Sequence, residues 1–297
     1  MTKDDRSQEL LTRLRSGLII KDGAMGTILS AGGHSGGSLE LLNVEQPDRV
    51  TAVHAAYAAA GSEMVETNTF QGNGVALARH GLAERAVELN QAAAALAREA
   101  VGDRVFVAGS IGPTGGILEP YGDLDPGLAR AAFQEQAAAL AEGGVDLLVV
   151  ETFSALEEVL LALAAALATG LPVVASMAFD PNGRTAFGVS PAKAAEQLEA
   201  AGATVVGANC GTVSPAEMVG VIRQLRQATA LPLMAQPNAG RPVRTESGTS
   251  FPEGPEALAD AAPGFRDAGA SLIGGCCGTT PEHIRAVVAR LTRPLKP

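Results

Sequence analysis

All three cysteines of the chain stand in glycine-rich surroundings at the ends of apolar runs. Cys210 lies in Gly207-Ala208-Asn209-Cys210-Gly211, and Cys276 and Cys277 lie in Gly274-Gly275-Cys276-Cys277-Gly278. Cysteines serving as small core hydrophobes would be scattered, and adjacent cysteines bridge one another only with strain. Three thiols from two strand ends can instead supply three corners of a tetrahedral zinc site. The fourth corner then stays open for a substrate, which is the arrangement of a catalytic rather than a structural zinc. Three thiolates leave Zn2+ with a net charge of about −1, a poor centre for activating water. Such a centre suits another task. It can take up a substrate thiol, whose free pKa is about 8.5, displace its proton and keep the sulfur nucleophilic. The chemistry this points to is alkylation of a thiol.

Short β-branched runs alternate with alanine-rich helical patterns along the whole chain. Strands are predicted over 18–22, 64–68, 105–110, 147–151, 173–177, 204–208, 231–236 and 271–275. Helices are predicted over 47–60, 82–101, 126–142, 155–169, 191–201, 215–229 and 281–291, several opening on proline and closing on glycine. Residues 253–268 read as a broken helix, because Pro263-Gly264 interrupts them. Eight strand-then-helix units predict an α/β fold, a single (β/α)8 TIM barrel spanning 17–297 with a short helical extension over 1–16. A doubly wound open sheet is the alternative. In a barrel the polar strand ends form one ring on one face. That ring holds Asp22-Gly23, Glu66-Thr67-Asn68-Thr69-Phe70, Gly112-Pro113-Thr114-Gly115, Glu151-Thr152-Phe153, Asn209-Cys210, Gln236-Pro237-Asn238 and the cysteine pair. Cys276 and Cys277 cannot both face inward on a regular strand, so they must sit in a turn.

The formal net charge of −10 excludes a nucleic-acid partner and an acidic membrane surface, since both need a basic face. Residues 1–17 are charged and lack the apolar core of a signal peptide. Residues 159–179 carry no charge, but Gly170-Leu171-Pro172 divides them into a helix and a strand rather than a membrane span. The few cysteines and their spacing indicate a reducing, cytoplasmic setting. His34, His54, His80 and His283 show no ligand spacing and read as surface or helix-start residues.

Together the motifs carry a specific resemblance. Asp22-Gly23-Ala24-Met25-Gly26-Thr27, Glu66-Thr67-Asn68-Thr69-Phe70, Gly112-Pro113-Thr114-Gly115, Gly207-Ala208-Asn209-Cys210, Pro237-Asn238-Ala239-Gly240 and Gly274-Gly275-Cys276-Cys277-Gly278-Thr279-Thr280-Pro281-Glu282-His283 resemble the homocysteine-binding domain family. That family includes betaine–homocysteine methyltransferase, S-methylmethionine-dependent homocysteine methyltransferases and the first module of cobalamin-dependent methionine synthase. The motifs are most like those of the methionine synthase module. The resemblance implies a zinc-dependent S-methyltransferase that turns homocysteine into methionine, with the metal held by Cys210, Cys276 and Cys277. It implies that Glu151 and Asp22-Gly23 meet the amino-acid end of homocysteine, with Thr67 nearby, and that Asn238 takes the fourth zinc position when substrate is absent.

Each residue also has a plainer reading. Glu151 could cap the helix that follows it, Asp22 could be a turn residue before Gly23, and Asn238 could be turn chemistry. The Gly109–Gly116 region lacks a P-loop lysine and reads as a tight turn. The methyl donor is open between S-methylmethionine, betaine and a methyl-corrinoid on a separate protein. With no Trp, two Tyr and eight Phe, the chain is poorly stocked for a quaternary-ammonium cage, although Tyr121, Phe70, Phe153 and Phe179 could lie near the ring. Two other readings remain: the homocysteine-binding subunit of a split corrinoid-dependent methionine synthase, and a non-catalytic zinc-thiolate redox-sensing module.

Overall fold

The computed structural model describes residues 3–33, 36–246 and 248–292; His34 lies outside them. Eight parallel strands form one sheet: β1 (Ile19–Ile20), β2 (Met64–Glu66), β3 (Phe106–Ile111), β4 (Leu147–Phe153), β5 (Val173–Met177), β6 (Val205–Asn209), β7 (Leu233–Gln236) and β8 (Ala270–Ile273). Their order runs β1-β8-β7-β6-β5-β4-β3-β2. The two ends meet where Lys21 bridges Met64. Asp22 N donates to Met64 O at 2.9 Å and Glu63 N donates to Ile20 O at 2.7 Å. The sheet therefore closes into the (β/α)8 barrel, and the open-sheet alternative falls. Each predicted strand is present.

Alternation along the strands sorts the core into two shells. Ile20, Val65, Val107, Leu148, Val150 and Val206 face the surrounding helices. Ile19, Met64, Phe106, Leu147, Val149, Val205 and Met234 fill the inside of the barrel, where they meet Leu10 and Leu14 of the N-terminal helix (Lys3–Ser16). That helix thus plugs the floor of the barrel. Following the same alternation toward the C-terminal ends of the strands, the next inward positions are Lys21, Glu66, Ser110, Glu151, Ser176, Asn209 and Gln236. The barrel interior changes from apolar to polar within two residues.

Besides the short helices Gly26–Ala31, Leu42–Glu45 and Gly74–Ala78, three features differ from the sequence reading. The helix Pro255–Asp267 runs unbroken through Pro263. Proline there forfeits one N–H, but Leu258, Ala262 and Phe265 are buried on the same helix and hold it in place. Gly264 gives room to Val219, whose Cγ2 would lie 3.1 Å from an added Cβ. Next, an exposed antiparallel hairpin, Val243–Thr245 with Gly248–Ser250, rises after β7. Lastly, His54 is not a surface residue. It is fully buried in helix Pro47–Ala60 with neither ring nitrogen hydrogen-bonded, and burial lowers its pKa to about 4, so the ring is neutral. Among the described residues, no helix is long and apolar enough to cross a membrane.

The floor helix is latched by a buried ion cluster. Arg6 Nε and Nη2 reach Asp146 Oδ1 and Oδ2 at 2.7 and 2.8 Å, and Arg98 Nη2 reaches Oδ2 at 2.7 Å. Val107 N also donates to Oδ2, at 2.8 Å. Burial alone would raise the Asp146 pKa, but the two guanidinium groups and the backbone donor hold it below its usual value. A folded-state pKa below the unfolded one gives stability at neutral pH that is lost as pH falls below about 4. Asp146→Asn is expected to cost about 3–5 kcal/mol at pH 7, because it leaves buried guanidinium charge unmatched. Urea unfolding at pH 7 and pH 3.5 checks both points: the variant should lose much of the wild-type acid sensitivity.

Candidate metal centre and substrate pocket

The cysteines are brought together by departures from regular strand. Cys210 N still donates to Gln236 O at 3.1 Å, the last rung beside β7, and Cys210 then adopts φ 53°. Such a left-handed conformation costs a non-glycine residue about 1–2 kcal/mol. Gly211 follows at φ 72°, where a Cβ would overlap the Phe179 carbonyl oxygen. After β8 ends, Cys276 N donates to Pro237 O at 2.7 Å, and Cys277 opens a turn completed by Gly278 at φ 78°. The adjacent cysteines thus lie beyond the strand, as side-chain alternation requires. Thr279 clamps this turn, its Oγ1 donating to Cys276 O at 2.7 Å.

The three sulfurs lie within 4.8 Å of one another, and among the described residues they are the one group of three or more potential metal ligands so gathered. A tetrahedral zinc with Zn–S bonds of about 2.3 Å needs sulfurs about 3.8 Å apart, so the set fits with little movement. Its ionisation fits too. The Cys276 and Cys277 thiols hydrogen-bond to the Cys210 sulfur and pull its pKa down to about 3. The same contacts, with burial, push Cys276 and Cys277 up. Without a cation the triad shares one negative charge, and three thiolates this close require positive charge among them.

The sulfurs form part of the wall of a cavity of about 420 Å³. Gly23, Thr67 and Glu151 also line it, with Glu66, Ser110, Thr152 and Gln236. Of the other predicted site residues, Asp22 and Asn238 are not on this wall. Asp22 is turned inside, its Oδ1 3.4 Å from Lys21 Nζ and its Oδ2 accepting from Glu66 N at 2.8 Å. Asn238 stands behind Cys210, its Nδ2 donating to Gly211 O at 2.9 Å and its Oδ1 buried without a partner. Thr67 Oγ1 shares a hydrogen bond with Thr69 Oγ1 at 2.6 Å. Of the aromatic residues expected near the ring, Phe70 lines the cavity, Phe153 and Phe179 are buried in the core, and Tyr121 is 86% exposed.

Glu151 does not cap the helix that follows, Leu156–Leu167, whose N-cap is Ala155. Its Oε1 accepts from Ser110 Oγ at 2.7 Å and its Oε2 from Asn209 Nδ2 at 3.0 Å. The loop after β3 is likewise no phosphate cradle, since Thr114 N donates to Glu158 Oε1 at 2.9 Å. Burial pushes Asp22 up to about 7, with Lys21 opposing and Glu66 adding to the rise. Burial and then the charge of Glu66 push Glu151 up to about 8. Burial works against the Lys21 ammonium, but Glu66, Asp22 and Glu151 outweigh it and hold Lys21 charged.

Sequence reasoning placed Glu66, Asn209 and Gln236 in the ring of strand ends without giving them a role, and left out Lys21 and Ser110. The signal was period-two alternation from the apolar interior, which puts each on the inner face of its strand. Asn209 is the hub. Its Oδ1 accepts from Thr152 N at 2.8 Å and Ser176 Oγ at 2.7 Å, and its Nδ2 donates to Thr152 Oγ1 at 2.6 Å besides Glu151. Cys276 Sγ lies 3.9 Å from the same Nδ2. Thr152 needs this support, because a β-branched residue at φ 65° is strained.

Comparison with known proteins gives a consistent result. A family model described as homocysteine S-methyltransferase matches residues 19–291. The methionine synthase of Mycobacterium tuberculosis is 35% identical over 312 residues, covering 96% of this chain and 26% of that protein. The Mycobacterium leprae methionine synthase is 34% identical, covering 96% of this chain and 25% of its own length. The chain thus spans about a quarter of the length of these curated relatives. Among solved structures, the metallated form of the homocysteine methyltransferase MmuM from Escherichia coli superposes with a TM-score of 0.78 at 28% identity, covering 96% of this chain and 99% of that one. Its oxidised form gives 0.77 at 29%, covering 92% and 96%.

Asn209→Ala should cost about 2–3 kcal/mol in urea unfolding, since it strips partners from Glu151, Ser176 and Thr152 at once. Adding Thr152→Gly should return about 1 kcal/mol, because glycine takes the left-handed conformation freely.

Proposed function

Because the chain belongs to the homocysteine S-methyltransferase family, we infer that it methylates the sulfur of homocysteine to give methionine, with zinc held by Cys210, Cys276 and Cys277. One observation carries this reading: the sulfur triad lies in the wall of the same cavity as a buried set of carboxylates. When bound, the zinc supplies a Lewis acid that lets an incoming thiol lose its proton near neutral pH. The three cysteines would hold that ion at the wall of the cavity. The carboxylates of Glu151 and Glu66 suit the substrate ammonium, and the Gly23–Gly26 turn brings backbone to the wall where a substrate carboxylate can be received. Burial of these groups keeps water from competing for the ammonium. Asn209 ties Glu151 to the neighbourhood of the sulfurs, so the two ends of the amino acid are held at a fixed separation.

The donor is one of S-methylmethionine, betaine or a methyl-corrinoid borne on a separate protein. Phe70 alone of the candidate aromatics reaches the cavity wall, which weighs against a cage for betaine. A second reading, the homocysteine-binding subunit of a split methionine synthase, draws on the relatives in which a matching stretch makes up about a quarter of the protein. A zinc-thiolate redox sensor leaves the buried carboxylates without a role, and we do not adopt it.

The test is a parallel assay of methionine formation from homocysteine with each donor, with zinc measured on the same sample. Zinc-loaded protein should form methionine with at least one donor. Removal of zinc, or Cys276→Ser, should lower the rate about 100-fold or more. Full activity without zinc overturns the metal's role. Turnover only after addition of a corrinoid protein, which then co-purifies with the chain, selects the second reading.

A further inference from the structure

We propose that the buried Tyr57 is a positioning residue for the metal centre: acting with Thr279, its hydroxyl ties the cysteine turn after β8 to the cavity-wall turn after β1. The inference rests on the reading of Cys210, Cys276 and Cys277 as zinc ligands. It extends the centre to helix Pro47–Ala60, none of whose residues lines the cavity.

Cys276 and Cys277 follow the end of the sheet, at the seam where β8 meets β1. Just past the strand pairing, Gly275 N donates to Asp22 O at 2.9 Å. Beyond that bond the two chains part into turns, and hydroxyl groups join them instead. Thr279 Oγ1 donates to Cys276 O at 2.7 Å and accepts from Ala24 N at 3.0 Å. Tyr57 Oη lies 2.9 Å from Ala24 O and 3.1 Å from Thr279 O, so its one proton is shared between the two turns. Thr27 Oγ1 accepts from Gly278 N at 3.2 Å. The Cys276 peptide is thus held by a threonine that a tyrosine holds in turn.

The space around these hydroxyls is reserved for them. A Cβ on Gly23 would lie 2.5 Å from Thr279 Oγ1 and 2.8 Å from Tyr57 Oη, and one on Gly275 would overlap the same threonine oxygen. Tyr57 and Thr279 are both fully buried. Burial and then the charge of Asp22 push the Tyr57 pKa up, so the phenol keeps its proton and stays a donor. A core tyrosine needs a partner for its hydroxyl, and any single carbonyl would meet that need. Two carbonyls on different turns, one of them two residues past Cys277, do more, because they fix the turns against each other. The Cys277 carbonyl is anchored separately, by Ala239 N at 2.9 Å. Loss of the tie therefore loosens Cys276 in particular.

The experiment measures zinc affinity by competition with a chromogenic chelator, and sulfur-to-cobalt charge-transfer absorption after Co2+ is loaded in place of zinc. Tyr57→Phe and Thr279→Val should each weaken zinc by about tenfold or more, as loss of an outer partner of a metal ligand does. Both should also lower the charge-transfer intensity. Thr279→Ser keeps the hydroxyl and should stay close to the wild type. Leu140→Ala, in the core beneath helix Pro126–Glu142, should lower stability to urea and leave zinc affinity unchanged. If Thr279→Val does not fold, Tyr57→Phe, which removes one oxygen atom, carries the same comparison with Leu140→Ala. Zinc affinity unchanged in Tyr57→Phe, or lowered as much by Leu140→Ala, overturns this inference alone. A wild type that binds no zinc through its cysteines overturns the metal reading and this inference with it.

Discussion

The site depends on one buried ion pair, Lys21 with Glu66, at the seam where the barrel closes. A parallel barrel points alternate side chains of every strand into a space too narrow for bulk water. Low in this barrel that space is filled with leucine, valine and methionine, and the N-terminal helix seals it from below. One layer higher the same inward positions carry Asn209, Gln236, two glutamates and a lysine. Charges there have no solvent to stabilise them, so each must find a partner within the layer or leave a vacancy for a ligand. The lysine neutralises part of the acid, and its contact with Glu66 sets which carboxylate oxygen stays unpaired.

The sulfur cluster obeys the same rule by a different route. Three thiols this close cannot all ionise without a cation, and the two protons they keep stay on Cys276 and Cys277, which makes Cys210 the most acidic. Backbone strain accompanies both parts of the site. Cys210 at φ 53° and Thr152 at φ 65° are the non-glycine residues of the described chain with positive φ, and both border the cavity. Regular strand geometry would carry Cys210 up the barrel wall and away from the pair on the turn after β8. The left-handed step turns it aside, and the closed hydrogen-bonded barrel beneath supplies the rigidity that sustains the strain.

The sequence made most of the architecture legible because parallel strands and their helices leave strong local marks. The strand at 173–177 coincides with β5 to the residue, and proline starts and glycine stops bracketed helix Pro47–Ala60. The cysteines were legible through their clustering, and the resemblance supplied Glu151. The polar inner layer was legible only in part, since Glu66, Asn209 and Gln236 stood in the ring of strand ends without a role and Lys21 and Ser110 were not in it. Lys21 ends a very short strand and finds Glu66 across 45 positions of chain, a pairing that exists only after closure. Ser110 looks like an ordinary strand end until the register is known. Asp22 shows the converse. Its motif marks it as a site residue, yet its carboxylate is spent on Lys21 and on the backbone of Glu66, so it shapes the pocket from behind. Pro263 misled because a local rule was applied to a helix whose buried face outweighs one missing hydrogen bond.

Asn209 shows how the two chemical ends become one site. It sits at the last inward position of β6, one residue before a thiol and one strand away from the acid side of the pocket. Its carbonyl oxygen holds Thr152 in a conformation threonine would otherwise leave, and its amide nitrogen reaches both the Glu151 carboxylate and the vicinity of Cys276. A serine or threonine there could not span these partners, because a single hydroxyl offers one donor where the amide offers two. The separation between sulfur and carboxylate is therefore set by the length of one planar amide on a rigid strand.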